Sequence, residues 1–161
     1  MITVEKSDLA HFREVMSCFA SGVVVVTAVV DGTPVGMTCQ SFTSLSLDPP
    51  MVLFCPSKSS TSWPVLSRAD YLCVNVLTAA QHELSTAFAR SGTDKYLGVS
   101  WTPTPQGAPA LDGAAVHVEA RVADCLDGGD HHIVTCVVEA LSAVADHEPL
   151  VYYRCGYRAL V

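Results

Sequence analysis

Residues 36–50 (GMTCQSFTSLSLDPP) are the first of four segments whose residue types can bind a ligand. Serine, threonine and glutamine side chains recur here beside predicted strands. They can offer hydroxyl and backbone N–H groups to a polar, planar ligand without needing a lysine. An ordinary serine- and threonine-rich edge strand has the same composition, and composition alone favours that simpler interpretation.

Residues 55–62 (CPSKSSTS) place Lys58 among five hydroxyl residues, directly before a predicted helix start at Trp63-Pro64. Amides at the beginning of a helix, together with a lysine, can bind a phosphate group. A solvated loop with a capping serine explains this segment equally well when it is taken alone.

Residues 128–132 (GGDHH) lie between two apolar segments. Two glycines allow a tight turn that can present an imidazole to a ligand, and Asp130 can orient that imidazole. His131 and His132 are adjacent, so on a strand they face opposite sides, which disfavours a two-histidine metal site. A hairpin with exposed polar residues is the ordinary alternative. The fourth segment, residues 90–96, follows a predicted helix and carries Arg90, Asp94 and Lys95. It can simply be a solvated helix end.

Net charge, the absence of nucleotide-binding motifs and the cysteine spacing disfavour several classes of protein. The formal net charge is −7, so a nucleic-acid surface has little support. No GxGxxG or GxxxxGK[ST] sequence occurs, which disfavours a Rossmann or P-loop nucleotide site. The seven cysteines form no C-x-x-C pair, and we predict reduced, mostly apolar cysteines without a metal site.

The longest apolar run, residues 23–30, is too short to cross a bilayer and suits a buried strand. Residues 1–8 carry Glu5, Lys6 and Asp8 where a secretory signal would be basic and then apolar. We therefore expect a cytoplasmic protein with no membrane segment.

Periodicity predicts the elements that position these segments. Leu9, Phe12, Met16 and Phe19 recur at helical spacing after Ser7 and Asp8, either of which can cap a helix that ends near Ser21-Gly22. The run 23–30 predicts a strand, and Asp31-Gly32 predicts a hairpin turn before a return strand near Pro34 or Val35. Further predicted strands span 51–55, 71–77, 116–124 and 133–145.

Two more helices are predicted from capping signals. One is short and begins at Trp63-Pro64. The other follows a capping box formed by Thr78 and Gln81, presents Leu84, Ala87 and Phe88 on one face, and ends at Ser91-Gly92. Residues 102–109 are predicted to be a loop. The pattern predicts a single domain over residues 1–161, a mainly β antiparallel barrel with a few peripheral helices.

Five strings in this order resemble the flavin reductase-like family, the short-chain NAD(P)H:flavin oxidoreductases that supply reduced flavin to two-component monooxygenases. The resemblance covers almost the whole chain. It is carried by residues 12–28 (FREVMSCFASGVVVVTA), 34–64 (PVGMTCQSFTSLSLDPPMVLFCPSKSSTSWP), 88–96 (FARSGTDKY), 128–134 (GGDHHIV) and 149–160 (PLVYYRCGYRAL).

The resemblance implies a homodimer of split β-barrels that binds FMN or FAD at the dimer interface. It places the flavin ring and its backbone cradle along Met37, Thr38, Cys39, Gln40, Ser41, Cys55, Pro56 and Ser57. The phosphate end is assigned to Lys58, Ser60 and Ser62, and Phe88, Arg90 and Lys95 match a further segment near the flavin.

The resemblance also assigns residues to the hydride donor, NADH. Asp130 and His131 match the place where the nicotinamide nucleotide docks, with His131 holding or orienting it as the catalytic residue. Tyr153 and Arg154 match the family's terminal Tyr/His-Arg segment and are also assigned to NADH binding. The chain departs from the family pattern at Cys39 and Gln40, where alanine and asparagine are common, and at His132 and Cys155.

The implied activity is hydride transfer from NADH to a flavin, with reduced flavin passing to a flavin-dependent monooxygenase. In such chemistry the cofactors exchange the hydride, while the protein sets distance, orientation and charge. Two alternatives remain open at this point. One is a flavin- or heme-binding split barrel without turnover, and the other is a reductase of another acceptor such as a corrinoid.

Overall fold

The computed structural model describes residues 8–144, 146–158 and 160. Antiparallel strands are its main secondary structure. The elements are α1 (Leu9–Met16), β1 (Ser21–Gly22), β2 (Val24–Val30), β3 (Thr33–Cys39), β4 (Thr43–Leu47), β5 (Pro50–Phe54), α2 (Trp63–Leu66), β6 (Tyr71–Val76), a 3₁₀ turn (Ala79–Gln81), α3 (His82–Ala89), β7 (Trp101–Pro103), β8 (Pro109–Leu111), β9 (Val116–Gly128), β10 (His131–Ala143), β11 (Val151–Tyr153) and β12 (Gly156–Arg158).

Seven strands form the main sheet, in the order β3-β2-β6-β9-β10-β5-β4. Its two edge strands, β3 and β4, are consecutive in the chain and separated only by residues 40–42. So short a link brings the two edges together at that point, and the sheet must therefore roll up without closing. Smaller sheets, β1-β11-β12 and β7-β8, complete the fold. The prediction of a mainly β split barrel with peripheral helices is confirmed.

Strand β2 is buried on both faces, which explains its unbroken apolar sequence. Val24 and Val26 pack inside the barrel against residues such as Phe54. Val25 packs on the other side, against Phe88 of α3. This second contact places α3 against the outside of the barrel, beside β3.

Most of the predicted turns and helix caps are confirmed. Asp31 and Gly32 both have positive φ, 51° and 75°, as a two-residue hairpin requires. The side chains of Thr78 and Gln81 form the predicted capping box before α3. Asp8 caps α1 by accepting from the backbone N–H of His11 at 3.2 Å. Ser7, the other predicted cap, lies outside the described residues.

Several predicted boundaries are wrong. Helix α1 ends at Met16, well before Ser21-Gly22, and Phe19 lies beyond it. Strand β9 runs past its predicted end at residue 124 to Gly128, whereas β10 begins earlier than predicted, at His131, and ends at Ala143. The two pair over almost their whole length, because a long hairpin satisfies its own hydrogen bonds even where it is exposed. Ala145, the predicted end of β10, lies outside the described residues.

Residues 102–109 are not a plain loop. They contribute to the hairpin of β7 and β8, in which Thr102 pairs with Ala110. Strands this short leave too few residues for a period to be seen, and the prolines in this segment obscured them further. No helix among the described residues is long and apolar enough to span a membrane.

All seven cysteines are free thiols. Cys39, Cys73 and Cys136 are buried, and burial raises the pKa of both Cys73 and Cys136 to about 12. Cys73 and Cys136 therefore stay protonated, and all three buried cysteines pack as small apolar side chains.

Candidate functional site

A pocket of about 640 Å³, here called the main pocket, opens where the end of β3, the loop 55–62, the end of α3 and the start of β10 meet. Thirteen of the residues predicted from the resemblance line it. They are Met37, Thr38, Cys39, Gln40, Ser41, Cys55, Pro56, Ser57, Ser60, Ser62, Phe88, Lys95 and His131.

Backbone hydrogen bonds join the loop 55–62 to the start of β10. The amide of Lys58 donates to the carbonyl of Asp130 at 2.9 Å, and the amide of His132 donates to the carbonyl of Pro56 at 2.9 Å. Between them, Ser57 and His131 form an isolated antiparallel bridge. The loop therefore continues the pairing of β5 with β10, and the position of His131 depends directly on that of the loop.

Ser41 ties the other side of this loop to the end of β3. Its hydroxyl accepts from the amide of Cys55 at 2.8 Å and donates to the carbonyl of Cys55 at 3.1 Å. Burial raises the pKa of the Cys55 thiol, so this wall of the pocket carries no thiolate at neutral pH.

Hydroxyl groups line the part of the main pocket nearest α2. Helix α2 has only four residues, and Ser60 Oγ already accepts from the amides of Ser62 and Trp63 at 3.2 and 3.1 Å. The predicted cradle of helix N-terminal amides is therefore occupied by the capping serine. The groups that face a ligand here are side-chain hydroxyls.

Lys95 is the cation of the main pocket. Its ammonium donates to the carbonyls of Gly36 and Phe88 at 3.0 and 2.9 Å and to Ser62 Oγ at 2.8 Å. Partial burial lowers its pKa. Among the described residues, no carboxylate lies within ion-pair distance of it.

Gly36 makes this arrangement possible. A Cβ at Gly36 would lie 2.6 Å from Cε1 of Phe88, inside van der Waals contact. The absence of a side chain allows the Phe88 ring to rest on β3, and the carbonyls of both residues then reach Lys95.

Two of the residues predicted for the flavin, Lys58 and Arg90, do not line the main pocket. The Lys58 ammonium pairs with Oδ1 of Asp127 at 2.8 Å, and the same oxygen accepts from the amide of Gly129 at 2.9 Å. These contacts lower the pKa of Asp127. Arg90 is exposed at the end of α3.

His131 lies at the rim of the main pocket with an oriented ring. Nδ1 is 2.7 Å from Oδ1 of Asp130, and this hydrogen bond lowers the pKa of Asp130. An ionised carboxylate only accepts, so the proton lies on Nδ1 of His131. Asp130 itself does not line the pocket, and neither does His132, whose side chain the strand alternation directs elsewhere.

Tyr153 and Arg154 also lie outside the lining. Arg154 has a φ of 49° in the turn between β11 and β12, and its amide donates to the carbonyl of Ser17 at 2.8 Å. Their neighbours Tyr152 and Tyr157 line the pocket instead.

Sequence reasoning missed six lining residues: Ser59, Thr61, Ala89, Ser91, Tyr152 and Tyr157. Five of them, all except Tyr157, adjoin predicted site residues and were within reach of the motif argument. Tyr157 was not, since only the fold brings its hydroxyl to 2.8 Å from Ser85 Oγ. In the described part of the chain, no group of three or more histidine, cysteine, aspartate or glutamate residues is arranged to hold a metal ion.

Comparison with known proteins gives concordant matches. The flavin reductase-like domain family matches residues 16–161. The chain is 40% identical over 159 residues to the reductase subunit of a flavin-dependent monooxygenase from Rhodococcus jostii, covering 99% of this chain and 82% of the relative. It is 41% identical over 142 residues to an FMN reductase (NADH) from Agrobacterium fabrum, covering 88% and 80%.

A solved structure of the NADH:FAD oxidoreductase of Streptomyces globisporus, in complex with NAD and FAD fragments, superposes with a TM-score of 0.92. The two proteins are 33% identical, and the match covers 100% of this chain and 98% of that one.

Proposed function

Because the chain belongs to the flavin reductase-like domain family, we propose that its main pocket binds the flavin on which the enzyme acts. The chain is an NAD(P)H-dependent flavin reductase, an oxidoreductase that transfers a hydride from NADH to FMN or FAD and supplies reduced flavin to a partner monooxygenase. Since the family match leaves only residues 1–15 outside it, we also propose one domain over the whole chain.

The pocket assignment rests on one observation: polar backbone and hydroxyl groups and the ammonium of Lys95 lie in the same cavity. Backbone and hydroxyl groups from the end of β3 and from the loop 55–62 suit the polar edge of a flavin ring. Phe88 and Met37 are buried apolar residues of the same lining. Lys95 supplies the positive charge that a phosphate requires in a protein of net charge −7.

A bound flavin supplies the acceptor for the hydride of the nicotinamide. The chain contributes position and charge. Backbone amides along Thr38–Ser41 and at Ser57 can favour the negative charge that a flavin ring gains on reduction. We propose that His131, oriented through Asp130, holds the nicotinamide nucleotide at the rim of the main pocket.

Steady-state NADH oxidation with FMN, FAD and riboflavin in turn tests this function. We expect oxidation that depends on both the enzyme and an added flavin. Flavin binding without NADH oxidation would contradict the reductase assignment, and oxidation without saturable flavin binding would contradict the role of the pocket.

We further propose a homodimer. Helix α1 has no buried residue, and the apolar side chains Leu9, Phe12, Val15 and Met16 are all about half or more exposed. A second copy could cover this surface and add a wall to the open main pocket. Light scattering should give twice the chain mass, and a flavin-loaded monomer would contradict the proposal.

We propose a cytoplasmic location, since three of the seven free thiols, Cys18, Cys125 and Cys155, are exposed. Exposed thiols persist in a reducing compartment, and NADH is an intracellular reductant. Fractionation of the source cells should recover the protein with cytoplasmic markers, and recovery outside the cell would contradict this.

A further inference from the structure

A second cavity, of about 330 Å³ and here called the side cavity, adjoins the main pocket. The linings of the two share Thr61, Ser62 and Lys95, which are here called the neck. Beyond this neck, the side cavity lies between the start of β3, helix α2 and the loop that follows α3. A ligand in the main pocket that extends over these three residues would therefore reach the side cavity.

The neck carries a positive charge without an acidic partner. All three hydrogen bonds of the Lys95 ammonium go to uncharged oxygen atoms, and in the described residues no carboxylate forms an ion pair with it. A partly buried cation of this kind favours an anion at the neck. FMN ends in a phosphate, whereas FAD carries its two phosphates in the middle of the molecule.

The walls of the side cavity suit a nucleoside. Val35 and Val65 are apolar, and the ring of Tyr96 is fixed because its hydroxyl donates to the carbonyl of Val35 at 3.0 Å. Apolar and aromatic surfaces of this kind accept a nucleobase. Asp94 is exposed at the edge, and one of its oxygens accepts from the amide of Tyr96 at 3.1 Å. Its other oxygen can accept from ribose hydroxyls.

We propose that the side cavity binds the adenosine monophosphate half of FAD, with the pyrophosphate at the Lys95 neck, so that the enzyme prefers FAD to FMN. This inference rests on the proposed function, which places the flavin ring in the main pocket. The names of the relatives leave the choice of flavin open, because one is an FMN reductase and another an NADH:FAD oxidoreductase.

Titration of the unmodified protein with FMN and FAD, followed by flavin fluorescence, is the first test. A second compartment that binds AMP should make FAD at least about tenfold tighter than FMN. Equal affinities, or tighter FMN, would overturn the proposal.

Variants that fill the side cavity are the second test. Thr93 is an exposed loop residue and Val65 is half-buried, and both line the side cavity but not the main pocket. Thr93→Trp and Val65→Trp should each weaken FAD by about tenfold and change FMN by less than about twofold. Thr93→Trp keeps the test valid if the packing around Val65 does not tolerate a tryptophan.

Ser67→Trp is the matched control, since Ser67 is exposed at the end of α2 and lines neither cavity. It should leave both affinities unchanged. Equal weakening of FMN and FAD in the cavity variants, or no change in either, would overturn the proposal. So would a higher Michaelis constant for NADH with FAD affinity unchanged, because the cavity would then take the nicotinamide nucleotide. Failure to bind any flavin would instead refute the proposed function.

Discussion

Two polar regions of this protein differ in how their hydrogen bonds are arranged. Asn75 is fully buried between β2 and the β7–β8 hairpin, where its amide donates to the carbonyl of Val25 and to Thr27 Oγ1, both at 3.0 Å. Its Oδ1 accepts from the amide of Leu111 at 2.7 Å. At the rim of the main pocket, by contrast, the Asp130–His131 and Lys58–Asp127 pairs are made by largely exposed side chains.

The difference separates residues that serve the fold from residues that can serve a ligand. A buried polar group must keep every partner, because no water replaces a lost one. Among the described residues, no buried side-chain nitrogen or oxygen lacks a partner. At the rim, water can replace either member of a pair, so a ligand can take a partner's place at little cost.

Removal of the Asn75 amide should have the largest effect, and it should fall on stability alone. Asn75→Leu keeps the branched shape of the side chain but leaves the Leu111 amide and the Val25 carbonyl without this partner, at a cost of about 3 kcal/mol in the free energy of unfolding. Urea denaturation measures this. The control is Gln106→Leu, at an exposed amide side chain, which should cost less than about 0.5 kcal/mol.

If Asn75→Leu were nearly neutral, or if it raised the Michaelis constant for NADH in folded protein, the division between the two regions would fail.

Loss of the Lys95 charge should have the next largest effect. It should weaken the binding of a flavin that carries a phosphate more than that of a flavin without one. Lys95→Met should weaken FMN by about tenfold or more relative to riboflavin. A phosphate that replaces Ser62 Oγ at the ammonium gains a hydrogen bond between charged groups, which contributes about 1.5 to 3 kcal/mol. The ratio of the two affinities is the readout. Lys95 also holds the carbonyls of Gly36 and Phe88 by hydrogen bonds. Loss of these hydrogen bonds alone would weaken the binding of FMN and riboflavin equally.

The same charge predicts a pH dependence. Burial lowers the pKa of Lys95 from its ordinary value of 10.5, so the ammonium loses its proton at a lower pH than an exposed lysine does. The FMN phosphate is already fully ionised there. The preference for FMN over riboflavin should therefore decline as pH rises through an alkaline range below 10.5. A preference that holds to pH 10.5 would place another cation at the phosphate.

His131→Ala tests the rim directly. We expect the Michaelis constant for NADH to rise by about tenfold, with flavin affinity and melting temperature almost unchanged, because His131 is half-exposed and outside the core. Stopped-flow reduction of the bound flavin should be slower. His132→Ala is the control, since strand alternation turns its side chain away from the pocket. Matching defects in the two variants would remove His131 from the site.

The sequence predicted those parts of the fold that carry local signals. A few adjacent residues are enough to predict the β-branched strand β2, the Asp31-Gly32 turn and the capping box before α3. Strand β4 is exposed and rich in serine, and β11 and β12 have three residues each, so none of them shows a clear period. Strands β4 and β12 pair with their neighbours in the chain, β5 and β11. Strand β11 also pairs with the distant β1, where Tyr152 lies opposite Ser21, and no local pattern contains that pairing.

The site divides in the same way. Motif segments placed most of the lining correctly, but the choice between Tyr152 and Tyr153 depends on the register of β11, which pairs Tyr152 with Ser21. The partner of Lys58 could not be foreseen either. Asp127 lies 69 residues away, at the end of a hairpin whose length was underestimated.

The smallest expected effect concerns Lys58, which the resemblance assigned to the flavin phosphate and the structure pairs with Asp127. An exposed ion pair contributes little, so Lys58→Met should weaken FMN by no more than about threefold. The Michaelis constant for NADH should rise by a similar factor, because the pair links the loop 55–62 to the hairpin that carries His131. Added salt should reduce both changes.

A double-mutant cycle with Asp127→Asn separates the two roles of Lys58. If Lys58 acts only through Asp127, the double variant should be no worse than either single variant, for NADH as for FMN. If Lys58→Met alone weakens FMN about tenfold while riboflavin binding is unchanged, the lysine must leave Asp127 and contact the phosphate. In that case Asp127→Asn should strengthen FMN binding, because the ammonium would no longer have to be released from the carboxylate. The sign of the Asp127→Asn effect therefore decides whether this rim pair is a fixed link or a partner that the ligand replaces.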